Sequence, residues 1–352
     1  MKVAVIFGGK STENYVSRLS AASVIRTLDK EKYEVITIGI TKDGQWLHYI
    51  GDTDGLQNDN WMECVEVDED NKIINGINKI INEDVDIIFP VLHGSNGEDG
   101  TVQGLFELLA KPYVGCGVLA SSVTMDKAYT KIVCAAEGIP QCGYCVFQRW
   151  EIEKDIDACI AIIESKIGYP NFVKPSNAGS SVGVNKAKNI TELKQALLNA
   201  SLYDYRIVVE EFVDGREIEC AVLGNIEPKI AGPAEIFPAN EFYDYEAKYF
   251  DGESVVEIPA KITEDQKREV IEYSKRIFKC LDCSGLSRID FFLEKKTGKF
   301  IFNEINTIPG FTDASAYSKM WDVNGVTYKE LLDNLIQLAF ENYEARKRRY
   351  FI

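Results

Sequence analysis

Arg288 and Asp290 stand two positions apart late in the chain, and Glu304 and Asn306 repeat that spacing. On extended strands each pair shares one face. Segments 286–294 and 300–306 both read as strands, and the polar Lys295-Lys296-Thr297-Gly298-Lys299 between them suits a hairpin loop. Pairing Glu294 with Phe300 then sets Asp290 opposite Glu304 and Arg288 opposite Asn306. Two carboxylates, an amide oxygen and a guanidinium share one small patch. Bare carboxylates that close resist joint ionisation, and a hard cation removes the conflict. Asp, Glu and Asn oxygens with no His or Cys beside them suit Mg²⁺ or Mn²⁺ bridging substrate phosphates. A plain surface hairpin is the competing reading. Phe291, Phe292, Ile301, Phe302, Ile305 and Ile308 make both strands too apolar for it.

Phosphate chemistry also asks for cations and free amides. Lys174 ends a strand over 171–174 and leads into Pro175 and the stretch SNAGSSVG, after which a strand over 184–186 follows. That stretch joins two strands, so it is not a P-loop, but its free amides can fold over phosphates as a lid. Lys127 lies near the start of a helix expected over 121–137. A cation is disfavoured at that end, so an anionic partner is expected elsewhere. The strand expected over 207–213 carries Glu210 and Glu211, and Glu217 follows. Acids inside an apolar strand call for donors, which adenine and ribose supply. Glu13 falls at the carboxyl edge of the first strand, where α/β folds hold ligands. His93 opens the run His93-Gly-Ser-Asn-Gly-Glu-Asp-Gly100, whose glycines let the backbone approach a ligand. Segment 237–252, rich in Tyr, Phe and Asp, reads as a long ordered loop with a function.

These residues need a frame. A buried strand over 2–8 runs through Gly8-Gly9 into a helix beginning near Glu13, with Ser11 and Thr12 as caps. Ser20 and Ser23 read as small residues that let this helix pack closely on a sheet. Strands over 33–41 and 85–92 complete a strand–helix–strand opening with a parallel sheet, a doubly wound, Rossmann-like α/β unit. The Gly8-Gly9 turn is not G-x-G-x-x-G, so a dinucleotide site is disfavoured. An amphipathic helix over 263–280 leads into the hairpin, and a last helix spans 328–347.

The 352 residues suffice for two or three domains. A formal net charge of −16 disfavours nucleic-acid and anionic-membrane partners. No apolar run is long enough to span a bilayer, and the opening strand leaves no signal peptide to expect. Nine scattered cysteines read as reduced thiols of a cytoplasmic protein. The pairs Cys142/Cys145 and Cys280/Cys283 lack the turn residues of a zinc knuckle.

Taken together, the motifs resemble those of the D-alanine–D-alanine ligases of the ATP-grasp superfamily. The resemblance covers essentially the whole chain. In order it rests on GGKSTE, HGSNGEDG, MDK at 125–127, VKPSNAGSSVG, FYDYEAKY, SRID and NEINTIPGFT. It implies three domains, 1–115, 116–210 and 211–352, with ATP held between the last two. It implies an ADP-forming ligase that makes the D-Ala-D-Ala dipeptide for peptidoglycan through an acyl phosphate, as a cytoplasmic homodimer acting on D-alanine and ATP.

By the same resemblance, Lys127 and Lys174 contact ATP phosphates, Ser181 also binds ATP, and Glu210, Phe212, Val213 and Glu217 line the adenosine pocket. Asp290, Glu304 and Asn306 hold two Mg²⁺ or Mn²⁺ ions. Glu13 takes the first D-alanine's ammonium, coupled to Ser180 and Tyr249, and His93 lies near that substrate. Lys248 belongs to the same aromatic loop. Ser315 binds the acceptor's carboxylate, and Arg288 with the Gly310 amide holds the oxyanion. The sequence departs from the family at Thr312-Asp-Ala-Ser315-Ala316-Tyr317-Ser318, where Ser-Leu or Ser-Met and then a proline are expected. Retained Lys248-Tyr249 disfavours a hydroxy-acid acceptor. Small Ala316 leaves room for a hydroxyl, which Tyr317 could meet. D-alanine is the expected acceptor, with D-serine secondary. A D-alanine–D-serine ligase of vancomycin-resistance type is the alternative.

Overall fold

The computed structural model describes residues 1–68, 72–82, 85–237 and 255–347. Strands β1 (Lys2–Gly8), β2 (Glu34–Ile40), β3 (Trp46–Tyr49) and β4 (Ile87–Pro90) form a sheet in the order β3-β2-β1-β4. Val3 to Phe7 are apolar throughout because both faces of β1 are covered. β1 lies parallel to β2 and β4, and helix α1 (Asn14–Thr27) makes the crossover. The antiparallel edge strand β3 was not expected from the sequence. Helix α1 starts one residue later than expected and has no side-chain cap; the Ser11 hydroxyl accepts the Glu13 N–H instead.

The central sheet contains β5 (Tyr144–Gln148), β6 (Asn171–Pro175), β7 (Asn185–Ala187) and β8 (Arg206–Glu211), ordered β5-β8-β6-β7 and antiparallel throughout. It has its own core, where Val173, Ile207 and Val209 meet Ile163, Leu193 and Leu197 from its helices. The last sheet contains β9 (Gly215–Gly224), β10 (Lys229–Phe237), β11 (Val255–Glu257), β12 (Gly285–Glu294) and β13 (Phe300–Asn306), ordered β11-β10-β9-β12-β13. One face packs on helix Glu264–Cys280 and on residues Cys116, Ala120, Cys134 and Ile139. The other face shares a core with the first sheet: Val3, Val5 and Phe7 join Tyr317, Trp321, Leu331 and Leu335.

Two local features differ from the sequence reading. The helix expected over 121–137 is two helices, Val118–Met125 and Lys127–Ala136, separated at Asp126. Asp126 leaves the helical conformation and its carboxylate accepts the N–H groups of Ala128 and Tyr129, capping the second helix. In the β12–β13 hairpin, Asp290 does face Glu304 and Arg288 does face Asn306. At the loop end, however, Phe300 pairs with Leu293 rather than Glu294. A bulge between Asp290 and Phe291 absorbs the extra residue, Asn303, on β13.

Candidate active site

A cleft of 1320 Å³ runs between the central and last sheets and ends against the first. At one end it is cationic. Lys174, on β6, lies 2.6 Å from Glu210 on neighbouring β8, and Lys131 lies 3.1 Å from the other oxygen of Glu210. Burial works against ionisation of Glu210, but Lys131 and Lys174 outweigh it and hold the carboxyl at about 2. Burial equally opposes the charge on Lys174, and Glu210 and Glu304 outweigh that, raising its pKa. Two ammonium groups therefore share one carboxylate, Lys174 bordering the cleft and Lys131 buried behind it. Phe212 stacks 6.1 Å from Phe172, with the Lys186 ammonium 4.3 Å from its ring centre. Val213 and Glu217 continue this wall.

Lys127 has the anionic partner its helix position called for. Its Nζ lies 3.8 Å from Glu304 and donates to the Ala178 carbonyl at 2.7 Å. Ala178 belongs to the Gly/Ser loop, so the lysine also holds the lid. Asp126 secures the base of the same loop, accepting from Ser176 Oγ at 2.6 Å and pairing with Arg206.

The other end is anionic. Glu13 is buried and accepts the Ser180 hydroxyl. Gly94 and Gly179 approach its carboxylate so closely that a side chain on either would occupy the same space. Gly94 has φ +73, a conformation glycine adopts without strain. Glu98 accepts the N–H groups of Gly94 and Ile308, each at 2.8 Å. Burial, aided by nearby Glu13, pushes its carboxyl up to about 8. His93 is buried too, and desolvation lowers its pKa despite Glu13. Its Nδ1 meets the Ile308 carbonyl at 2.8 Å and its Nε2 meets Ser20 Oγ at 3.2 Å. On the acceptor side, Ser315 Oγ accepts the Thr312 N–H at 3.0 Å, and Ala316 opens helix Ala316–Val323 at the cleft wall. Tyr317 does not face the cleft: it is buried in the core and its hydroxyl donates to the Val222 carbonyl at 2.8 Å.

The hairpin patch has the hard-oxygen donors that Mg²⁺ or Mn²⁺ favours. Arg288 forks onto Asp290 at 2.8 and 2.7 Å, and Asn306 donates to the same carboxylate at 3.0 Å. Glu304 and Asn306 line the cleft, whereas Asp290 lies buried behind its wall. Among the described residues no group of three or more His, Cys, Asp or Glu gathers into a cation cage. The patch therefore fits a cation that takes one or two carboxylates and completes its shell with phosphate oxygens and water, the usual habit of Mg²⁺.

Glu13, His93, Lys127, Lys174, Ser180, Ser181, Glu210, Phe212, Val213, Glu217, Arg288, Glu304, Asn306, Gly310, Ser315 and Ala316 all border this one cleft. Lys248 and Tyr249 lie outside the described residues. Sequence reasoning missed Glu98, Lys131 and Asp126. The signal for Lys131 was a lysine on the buried stripe of its helix, three residues from both Ala128 and Cys134. None of the nine cysteines is in a disulfide.

Residues 2–116 match the family model described as D-ala D-ala ligase N-terminus, and residues 133–337 the one described as D-ala D-ala ligase C-terminus. The chain is 52% identical to a D-alanine–D-alanine ligase of Ruminiclostridium cellulolyticum, over 99% of this chain and 98% of that one. It resembles the crystal structure of the VanG D-Ala:D-Ser ligase from Enterococcus faecalis, with a TM-score of 0.82, 38% identity, and coverage of 96% of this chain and 99% of that one. The Bacillus anthracis D-alanine–D-alanine ligase complexed with ATP superposes with a TM-score of 0.76, at 28% identity over 99% of this chain and 100% of that one.

Proposed function

The chain belongs to the D-alanine–D-alanine ligase family, and on that premise we propose how its cleft joins two amino acids. It is an ATP-dependent ligase of the ATP-grasp fold that makes the D-Ala-D-Ala dipeptide of peptidoglycan synthesis. One observation carries the assignment of roles: a single cleft offers lysines at one end and buried carboxylates at the other. That polarity suits a polyphosphate beside an amino acid's ammonium.

In this reading Lys127 and Lys174 leave Glu304 and Glu210 to neutralise the phosphates, while Phe212, Val213, Glu210 and Glu217 receive the adenosine. Glu13 holds the donor ammonium, with Ser180 fixing its carboxylate. The donor carboxylate attacks the γ-phosphorus, giving an acyl phosphate and ADP, so a poor electrophile gains a good leaving group. Asp290, Glu304 and Asn306 would hold Mg²⁺ or Mn²⁺, whose chemistry is to neutralise the transferring phosphoryl group. The acceptor amine then attacks the acyl carbon, Ser315 holding its carboxylate. Arg288 and the Gly310 N–H stabilise the oxyanion before phosphate departs. The Gly/Ser loop, pinned by Lys127 and Glu13, keeps water from the acyl phosphate. Lys248 and Tyr249 are proposed to complete that lid. Three units near 1–115, 116–210 and 211–352, paired into a cytoplasmic homodimer, complete the proposal.

Incubation with ATP, Mg²⁺ and D-alanine tests it, with ADP, phosphate and dipeptide measured together. One dipeptide per ADP is expected. ADP formation that needs a different amino acid would overturn it. Ala316 favours a second, lesser activity with D-serine, because a small side chain at the cleft wall leaves space beyond the acceptor's methyl group. An excess of D-Ala-D-Ser from an equal mixture of D-alanine and D-serine would reverse the order of the two acceptors.

A further inference from the structure

The segment after β13 is held by side chains from three other parts of the chain. Glu98 accepts the Ile308 N–H at 2.8 Å, and His93 Nδ1 meets the Ile308 carbonyl at 2.8 Å. Ser20 Oγ accepts the Phe311 N–H at 3.3 Å, and the Tyr328 hydroxyl donates to the Phe311 carbonyl at 2.8 Å. Ser23 Oγ accepts the Asp313 N–H at 3.3 Å.

Two of these contacts, His93–Ile308 and Ser20–Phe311, are closed into a ring by a third, between His93 Nε2 and Ser20 Oγ at 3.2 Å. A carbonyl only accepts, so His93 Nδ1 carries the proton. Burial keeps the imidazole neutral, which leaves Nε2 as an acceptor for the Ser20 hydroxyl. The direction therefore runs from Phe311 N–H to Ser20, from Ser20 O–H to His93, and from His93 Nδ1–H back to Ile308. The ring encloses Pro309 and Gly310, which both line the cleft. Among the described residues the Gly310 N–H has no protein acceptor.

We propose that Ser20, His93 and Glu98 are positioning residues for ligation, fixing segment 308–311 so that the Gly310 N–H is aimed at the oxyanion of the attacked acyl group. This rests on the role given to Gly310 above. An oxyanion donor acts only when it is placed within hydrogen-bond reach of where charge develops. Ser20 is fully buried and does not border the cleft. Its effect on the chemistry must then pass through the ring. His93 becomes part of the scaffold rather than a direct ligand of the substrate, and the HGSNGEDG run becomes a brace between two sheets.

The test uses the full-length enzyme with ATP, Mg²⁺ and D-alanine in single-turnover rapid-quench runs, following ADP and dipeptide separately. Ser20→Ala should slow dipeptide formation by roughly 10–100-fold, the scale of a small misplacement, while ADP appears at the wild-type rate. His93→Asn, whose amide can replace Nδ1–H toward Ile308, should recover part of the dipeptide rate that His93→Ala loses. Thermal melting checks folding; if Ser20→Ala does not fold, the His93 pair carries the same comparison. Equal slowing of ADP and dipeptide, or no slowing of either, overturns the proposal. A wild-type enzyme that makes ADP without dipeptide would instead overturn the underlying reading.

Discussion

The two ends of the cleft solve the problem of an absent ligand in opposite ways. At the phosphate end, lysines meet carboxylates: Lys174 and Lys131 share Glu210, and Lys127 lies near Glu304. At the amino-acid end, Glu13 is buried with half-buried Glu98 nearby, and among the described residues neither pairs with a lysine or arginine. Arg288 is nearby but is committed to Asp290 and Glu219. On the proposed assignment, the lysines at the polyphosphate end stay ionised beside placeholder carboxylates that nucleotide would displace. Where the ligand brings a single ammonium, the protein takes up a proton instead, and the carboxyl of Glu98 rises to about 8. One end exchanges ions, and the other exchanges protons.

The contrast can be broken first at the phosphate end. Glu304→Gln keeps shape but removes a charge that holds Lys127 and completes the hard-oxygen patch. Turnover should fall by on the order of 10²-fold or more, the scale for a preorganised electrostatic group, with the melting temperature little changed. Near-wild-type turnover at saturating Mg²⁺ would mean that this carboxylate is structural.

At the amino-acid end, Glu13→Gln should raise the apparent KM for the first D-alanine by about 10–100-fold, equivalent to the ~1.5–3 kcal/mol of a charge-assisted bond. The KM for ATP should barely move. Equal changes for both substrates would point to a folding role at the start of α1.

Proton exchange is the next test. A carboxyl whose pKa is raised to about 8 is protonated in the ligand-free enzyme near neutrality. An incoming ammonium favours its ionised form, so D-alanine binding should release up to about one proton below that pH and progressively less above it. Calorimetry in buffers of differing ionisation enthalpy measures this directly. In Glu13→Gln the window should move to lower pH, because part of the upward push is gone. Buffer-independent heats at pH 7 would remove the distinction between the two ends.

The smallest effect is expected at the acceptor wall. Ala316→Leu should suppress D-serine use while sparing D-alanine. The ceiling is the ~10²-fold by which an apolar pocket rejects an added hydroxyl, and a few-fold change is expected. Unchanged competition between the two acceptors would show that the acceptor side chain does not reach Ala316.

The facing pairs of the hairpin, Asp290 with Glu304 and Arg288 with Asn306, were legible because strand periodicity fixes faces. The loop end of its register did not, since nothing in the local sequence marks Asn303 as the residue β13 leaves unpaired. Asp126 sat inside a continuous helical pattern. Its capping role depends on Ser176 and Arg206, which are distant in sequence. Ser20 and Ser23 looked like spacers because small size and hydrogen bonding are indistinguishable until the partner is known. Tyr317 was a candidate for the acceptor pocket only while the rotation of its helix was unknown. Glu98 went unread among the acids of a glycine-rich run, since what sets it apart from Asp99 is its bond to the N–H of Ile308, far along the chain.

The shared core of the first and last sheets has a consequence in time. Val3, Val5 and Phe7 pack in one cluster with Leu331, Leu332 and Leu335, from opposite ends of the described fold. Closing contacts that far apart along the chain is entropically slow. The central sheet, whose core draws only on residues between Cys145 and Val209, can complete its packing from contacts close along the chain. The first sheet precedes it in sequence yet must wait for helix Tyr328–Arg346, far downstream, to complete its core.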